Sequence, residues 1–296
     1  MPGETEEEGL LIQWFPGHMT KALRMMEDNI KLVDCVLYVL DARCPAACLN
    51  PKLDSLAGDR PRLFLLSKSD LADATATAEW TRALTSERSA AVSVVSSNRA
   101  IGGLVVSKLN ALLSDKLSAM KTKGVNLTLR AMIVGVPNCG KSTILNSIAG
   151  EKRAATGDKP GVTRGKQWIR LNKGYELLDT PGTLWHKFPD QRLARHLAYC
   201  GSISDDVLDL PTLSLFYLDE MRSICPDRLA ERYGVSLEGE PLEVFEAICK
   251  KRGYFFRGGE TDYERGSRAL LDDFRKGRLG RITLERAREY GGENNG

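Results

Sequence analysis

From residue 34 to residue 178 the chain alternates short apolar runs with amphipathic stretches. Residues 34–40 form an apolar, β-branched run, and similar runs follow at 62–66, 91–95 and 127–134. Helix-like stretches lie at 21–31, 73–87, 103–116 and 141–149. Strand and helix in this rhythm predict a mostly parallel sheet with helices on both faces. The polar residues 120–124 read as a connection. Two further strands, 166–171 and 175–178, flank Asn172-Lys173-Gly174, a turn tripeptide that predicts a hairpin. Beyond residue 184 only helical stretches follow, at 192–200, 212–222, 227–233 and 242–252. The boundary falls at 185–195, so 1–190 reads as an α/β domain and 191–296 as a small helical domain. No repeat and no low-complexity segment interrupts either part.

Composition narrows the class. A chain of 296 residues, 42% of them hydrophobic, can bury one large core or two unequal ones. No uncharged apolar run reaches the roughly 20 residues of a membrane-spanning helix. Residues 1–10 are acidic and lack the apolar or Arg-rich pattern of a leader. Seven cysteines form no CxxC pair, which favours reduced thiols over a disulfide frame or zinc site. A cytoplasmic protein without membrane contact, acting as a monomer, is expected. The net charge of +3 is unevenly placed: residues 250–289 hold twelve Lys/Arg against seven acidic residues. Tyr254, Phe255 and Phe256 sit among these bases. Such a surface fits RNA backbone contact with base stacking, and equally a solvated helical face over an apolar stripe.

The chemistry is carried by motifs. Gly135-Val136-Pro137-Asn138-Cys139-Gly140-Lys141-Ser142 matches the phosphate-binding loop G-x-x-x-x-G-K-[ST], between an apolar strand and a helix. There the backbone N–H groups of 138–143 cradle phosphates at a helix N-terminus. Asn138, Cys139, Gly140, Lys141, Ser142 and Thr143 are therefore candidate nucleotide-binding residues, with Lys141 on the outer phosphates and Ser142 on Mg²⁺. Asp179-Thr180-Pro181-Gly182 follows the hairpin. Asp179 is placed to hold Mg²⁺ through water, and Gly182 to offer its N–H to a γ-phosphate. Thr163, between the two motifs, is a candidate for completing the Mg²⁺ shell. Ser67-Lys68-Ser69-Asp70 is either a polar turn or a guanine-recognition motif in which Asp70 accepts from both guanine donors and Lys68 covers the base. Ser67 stands where Asn is usual, and its shorter side chain is expected to lose reach toward base and phosphate loop. Ser96 and Ser97 end the next strand, where a base-contacting loop would lie. Asp41 and Arg43 read as holding the loop after the first strand. His186 and His196 lack metal-ligand spacing and read as surface or packing residues.

Base motif before phosphate loop reverses the usual order, which points to a circularly permuted GTPase, its termini relocated on the surface. With Trp14-Phe15-Pro16-Gly17-His18-Met19, Asp41-Ala42-Arg43-Cys44-Pro45 and Asp179-Thr180-Pro181-Gly182-Thr183-Leu184-Trp185, the set resembles the ribosome biogenesis GTPase A family over roughly residues 12–290. The resemblance implies slow GTP hydrolysis that accelerates on the large ribosomal subunit. It implies rRNA binding by the helical domain in the GTP state and release after hydrolysis. It also implies His18 as the catalytic group in place of a glutamine after Gly182, where this chain has Thr183. Asn138 is implied as a ligand of a stimulating K⁺ ion. A nucleotide-sensing RNA scaffold with negligible turnover is the competing reading. A metabolic ATPase or kinase is disfavoured by Asp70 and by the lack of an evident acceptor site.

Overall fold

The computed structural model describes residues 10–95, 98, 100–124, 128–149, 167–171, 174–188 and 190–290. Six strands make one sheet: β1 (Cys35–Asp41), β2 (Arg62–Ser67), β3 (Ser89–Ser93), β4 (Leu129–Gly135), β5 (Gln167–Leu171) and β6 (Tyr175–Asp179). Their order is β3-β2-β1-β4-β6-β5. Every pair is parallel except the β5–β6 hairpin. β1 and β6 are buried along their whole length, as expected when helices cover both faces. The hairpin pairs Leu171 with Tyr175; the first two residues of its predicted turn lie outside the described residues.

The helices along the sheet are α1 (Gly17–Asn29), α2 (Pro45–Cys48), α3 (Pro51–Ala57), α4 (Ala74–Ala83), α5 (Ile101–Leu112), α6 (Ser114–Thr122) and α7 (Lys141–Ala149). α8 (Gln191–Tyr199), α9 (Leu210–Ile224), α10 (Pro226–Tyr233), α11 (Pro241–Arg252), α12 (Tyr263–Arg275) and α13 (Ala287–Tyr290) follow. Side-chain caps set several starts: Asp73 accepts from Ala76 N, and Asp209 from Thr212 N with Pro211 beside it. Gly234 and Gly253 close α10 and α11 in the left-handed conformation.

Two predicted elements differ. The polar connection at 120–124 is helical through Thr122; α6 fully buries none of its residues and sets only Leu117 and Met120 partly against the core, too few to read as an apolar face. The strand predicted at 91–95 is β3, Ser89–Ser93, set by its parallel register from Arg62↔Ser89 to Leu66↔Ser93. It is an edge strand, only half-buried, so its apolar pattern marks its ends poorly.

Helices α8, α10, α11 and α12 pack around α9, with Tyr217 edge-on to Tyr199 and Phe274, while α13 packs on α4. After α12 the chain returns to the sheet. Leu284 N donates to Arg43 O at 2.7 Å, Ile282 N to Leu71 O at 3.0 Å, and Trp80 Nε1 to Glu285 O at 3.0 Å. The C-terminal segment thus seats on the loops that leave β1 and β2.

Candidate functional site

The strand order changes direction between β1 and β4: β2 and β3 follow on one side, β6 on the other. In an open parallel sheet such a switch point leaves a crevice at the C-terminal strand ends, where ligands bind. Asp41 ends β1 and Gly135 ends β4, so the phosphate loop opens at that crevice. Asp179 ends β6 beside it, in register with Ile133. Ser67 ends β2 opposite Asp41. Four motifs far apart in sequence therefore meet at one end of the sheet.

The phosphate loop has the conformation its sequence predicts. Gly140 takes φ +95°, unfavourable for a side chain, and Lys141 begins α7. Lys141 and Cys139 are buried, Ser142 is half-buried and Thr143 exposed. A Cβ on Gly182 would lie 2.8 Å from Pro137 Cα and N, so only glycine lets this segment approach the loop backbone. Thr183 N donates to Gly135 O at 3.2 Å, tying the two motifs. Thr180 Oγ1 donates to Ile133 O at 2.6 Å.

The base motif is tied to the phosphate loop by side chains. Lys68 Nζ donates to Asn138 O at 2.7 Å and to Asp41 Oδ2 at 2.8 Å. Lys68 and Asn138 both have positive φ, 53° and 55°. For lysine that costs about 1–2 kcal/mol, and its two charge-assisted bonds offset the cost. Ser67 Oγ lies 2.5 Å from Cys139 O and 3.0 Å from Leu40 O, with one proton to donate between them. The expected loss of reach toward the phosphate loop is therefore corrected: β2 brings Ser67 close enough for a hydroxyl to span the gap. Ser69 Oγ donates to Val94 O at 3.2 Å, and Asp70 projects into solvent at the motif's end. Ser96, Ser97 and Thr163 lie outside the described residues.

Sequence reasoning underrated Asp41 and Arg43. The Asp41 carboxylate is wholly buried. It accepts from Arg43 Nε at 2.9 Å, Arg43 Nη2 at 2.8 Å and Arg43 N at 3.1 Å, besides Lys68. Burial pushes its pKa up, but Arg43 and then Lys68 pull it further down, well below the usual carboxylate range. Arg43 also donates to Phe274 O at 3.4 Å and Arg275 O at 3.3 Å, at the end of α12. The available signal was two charged residues closing an apolar strand.

Asn138 faces two ways: its carbonyl accepts from Lys68, and its Nδ2 donates to Gly201 O at 2.7 Å, just after α8. His18 is exposed in the first turn of α1. Its neighbour Met19 is buried, and Met19 Sδ accepts from Leu184 N at 3.4 Å. Phe15 packs on His186, ring centroids 5.0 Å apart, and Ile12 N donates to Gln191 Oε1 at 2.8 Å. The N-terminal segment thus folds along the chain that leaves Gly182. His196 is a packing residue of a charged kind, with Nδ1 2.8 Å from Glu285 and Nε2 3.2 Å from Glu220.

Residues 130–226 match the family model described as 50S ribosome-binding GTPase. The ribosome biogenesis GTPase A of Bacillus cereus is 40% identical over 286 residues, covering 95% of this chain and 96% of the relative. The chain belongs to the ribosome biogenesis GTPase A family. The family's protein from Thermotoga maritima is 31% identical, covering 93% and 94% of the two chains. The crystal structure of GNP-bound YlqF from T. maritima superposes with a TM-score of 0.62 at 28% identity, covering 90% of this chain and 98% of that one. Membership makes this a GTP-binding GTPase of permuted P-loop fold, and the sheet order agrees with that permutation.

Proposed function

We propose that this protein hydrolyses GTP as an assembly factor of the large ribosomal subunit, binding rRNA while GTP-loaded and leaving after hydrolysis. The observation that carries the reading is the junction at Asn138, which ties the phosphate loop to Lys68 of the base motif and to Gly201 of the helical part. The name of the matching family model and those of the curated relatives support the ribosomal role. Residues 138–143 and Gly182 bind the phosphates, and Ser67, Lys68, Ser69 and Asp70 the base, with Ser96 and Ser97 alongside. Ser142 in the first turn of α7 and Asp179 at the end of β6 offer hard oxygen donors, a set that suits Mg²⁺; Thr163 completes it. Bound there, the ion neutralises charge on the β- and γ-phosphates. Asn138 is the candidate K⁺ ligand. His18 orients the attacking water, since Thr183 is fully buried behind Gly182.

The helical part, 191–296, is the RNA-binding domain. Arg268, Arg275, Lys276 and Arg278 are paired with acids of the same part. Lys250, Lys251 and Arg257 are exposed close in sequence to exposed Phe255 and Phe256, and this group is the one assigned to a phosphate backbone. The protein works in the cytoplasm as a monomer. The scaffold reading stays in play because no glutamine follows Gly182. Single-turnover GTP hydrolysis with purified large subunits, in K⁺ and in Na⁺ buffer, separates the two. Stimulated cleavage is expected; nucleotide-dependent subunit binding without cleavage would leave the scaffold.

A further inference from the structure

Three thiols meet where the sheet joins the helical part. Cys44 precedes α2, Cys48 ends it, and Cys200 follows α8. Cys44 Sγ donates to Cys200 Sγ at 3.3 Å, while Cys48 Sγ lies 4.0 Å from Cys44 Sγ. Asp41 offers an oxygen within 4.8 Å of Cys44 and Cys200. That carboxylate is already committed to Arg43 and Lys68, so a cation would have to strip an existing ion pair. Thiol–thiol chemistry is open to the pair without such a loss.

The two thiols differ in character. Burial pushes the Cys200 thiol up, but the Cys44 thiol donating to it and the Arg43 guanidinium lower it further, so its pKa falls below the ordinary value. Cys44, as donor, is raised well above its ordinary value. Both thiols are buried, Cys200 at 4% exposed and Cys44 at 0%, so peroxide reaches Cys200 at the rate at which this junction opens locally. A low-pKa thiol beside a resolving thiol is the arrangement of an oxidisable pair.

We propose that Cys44 and Cys200 form a peroxide-sensitive dithiol that closes as a disulfide between the sheet and the helical part and weakens nucleotide binding when closed. The Cys200 thiolate attacks one oxygen of hydrogen peroxide; an S–O bond forms, the O–O bond breaks, and hydroxide leaves. The Cys44 thiol then attacks that sulfur; the S–S bond forms, the S–O bond breaks, and water leaves. With the proton first lost from Cys200, two thiols are oxidised and one peroxide is reduced to two waters. Closure draws the sulfurs from 3.3 Å to the 2.05 Å of a disulfide. The pull acts on Gly201, which accepts from Asn138, and on Arg43, which holds Asp41 and through it Lys68. The loss of nucleotide binding rests on the GTP reading above; the cross-link does not.

The test oxidises the folded full-length chain with stoichiometric hydrogen peroxide, alkylates it, and maps tryptic peptides. Peptide 44–52 holds both Cys44 and Cys48, and peptide 196–222 holds Cys200. The expected result is a dithiothreitol-reversible cross-link between them, with two of the seven thiols lost. The cross-link should persist in Cys48→Ser and vanish in Cys44→Ser. Fluorescent GTP analogue should bind the oxidised protein about tenfold more weakly, equivalent to about 1.4 kcal/mol. Reduced wild type serves as the control for nucleotide binding itself. Absence of the cross-link, or its persistence in Cys44→Ser, would overturn the dithiol. A cross-link with unchanged nucleotide affinity would overturn the coupling.

Discussion

Replacing Asp41 by Asn should both destabilise the protein and weaken GTP binding. The carboxylate is the shared counter-charge of Arg43 and Lys68, and each of its oxygens takes two donors. An amide has one accepting oxygen, so whichever way it turns, its NH₂ faces a guanidinium or an ammonium. Removing one member of a buried ion pair costs about 3–5 kcal/mol, because the partner stays buried and unpaired. Arg43 cannot escape, with a side chain 2% exposed, whereas that of Lys68 is 24% exposed and can turn to water. That places the loss near the lower end, about 3 kcal/mol. With a urea slope of about 3 kcal/mol per molar, the unfolding midpoint should fall by about 1 M.

Nucleotide binding supplies the second readout. Without Asp41, Lys68 loses the partner that aims it at Asn138. A charge-assisted bond worth about 1.5–3 kcal/mol then corresponds to a loss in GTP affinity of roughly 10- to 100-fold. Lys68→Met separates the effects: affinity should fall as far, while Arg43 keeps its counter-charge and the urea midpoint moves less. The stability deficit of Asp41→Asn should be constant from pH 5 to 9. A carboxyl held well below its unfolded value contributes in full above about pH 4 and loses that contribution only as pH falls through the lower, folded value. If Asp41→Asn unfolds at the wild-type midpoint and binds GTP unchanged, the carboxylate positions nothing.

Asp70→Asn should lower GTP affinity and improve binding of xanthosine nucleotides; competition against both measures it, and unchanged GTP selectivity would remove Asp70 from the base site. His18→Ala should leave GTP affinity intact and lower subunit-stimulated single-turnover cleavage on the order of 10²-fold; wild-type cleavage would make the histidine structural. Asn138→Ala should erase any rate difference between K⁺ and Na⁺ buffers, and a surviving difference would place the cation elsewhere. His196 gives a pH signature. Burial pushes its pKa down, but Glu220 and Glu285 raise it to about 9 overall. The stabilisation this supplies is full below about pH 6.5 and lost as pH rises through about 9, on the order of 3 kcal/mol. The alkaline drop in unfolding midpoint should be smaller in His196→Gln; an equal drop would assign it to other groups.

The parts legible in the sequence were those that encode themselves locally. Strands buried on both faces read as apolar runs, and the phosphate loop carries its glycines, lysine and helix start within eight residues. α6 escaped because two half-buried apolar residues, Leu117 and Met120, are too few to make a detectable periodicity. The roles of Asp41 and His196 escaped for another reason: their partners are distant in sequence. Lys68 meets Asp41 only because β1 and β2 are neighbours, and Glu285 meets His196 only because the chain returns after α12. The Cys44–Cys200 contact spans 156 positions. An odd cysteine count argues against a disulfide frame but cannot pair residues across a fold.

Permutation has a mechanical consequence that motif order alone does not convey. The base motif and the phosphate loop are separated by three helices, the edge strand β3 and the strand β4, so covalent continuity does little to keep them in register. Hydrogen bonds do that work, from Lys68 to Asn138 O and between Ser67 and Cys139 O. The helical part contacts both halves of this joint. It meets the base half where Arg43 donates to the end of α12 and where Glu285 accepts from Ala46 N and Ala47 N. It meets the phosphate half where Asn138 Nδ2 donates to Gly201 O. Asn138 holds a left-handed conformation while bonded to both sides, so a rotation of its peptide that releases Lys68 also strains the bond to Gly201. A phosphate-dependent adjustment of the loop would therefore reach the helical part through this bond, in addition to the covalent route from Gly182 through Leu184 to α8. The direct route depends on hydrogen-bond geometry at one residue, whereas the covalent route survives any side-chain change.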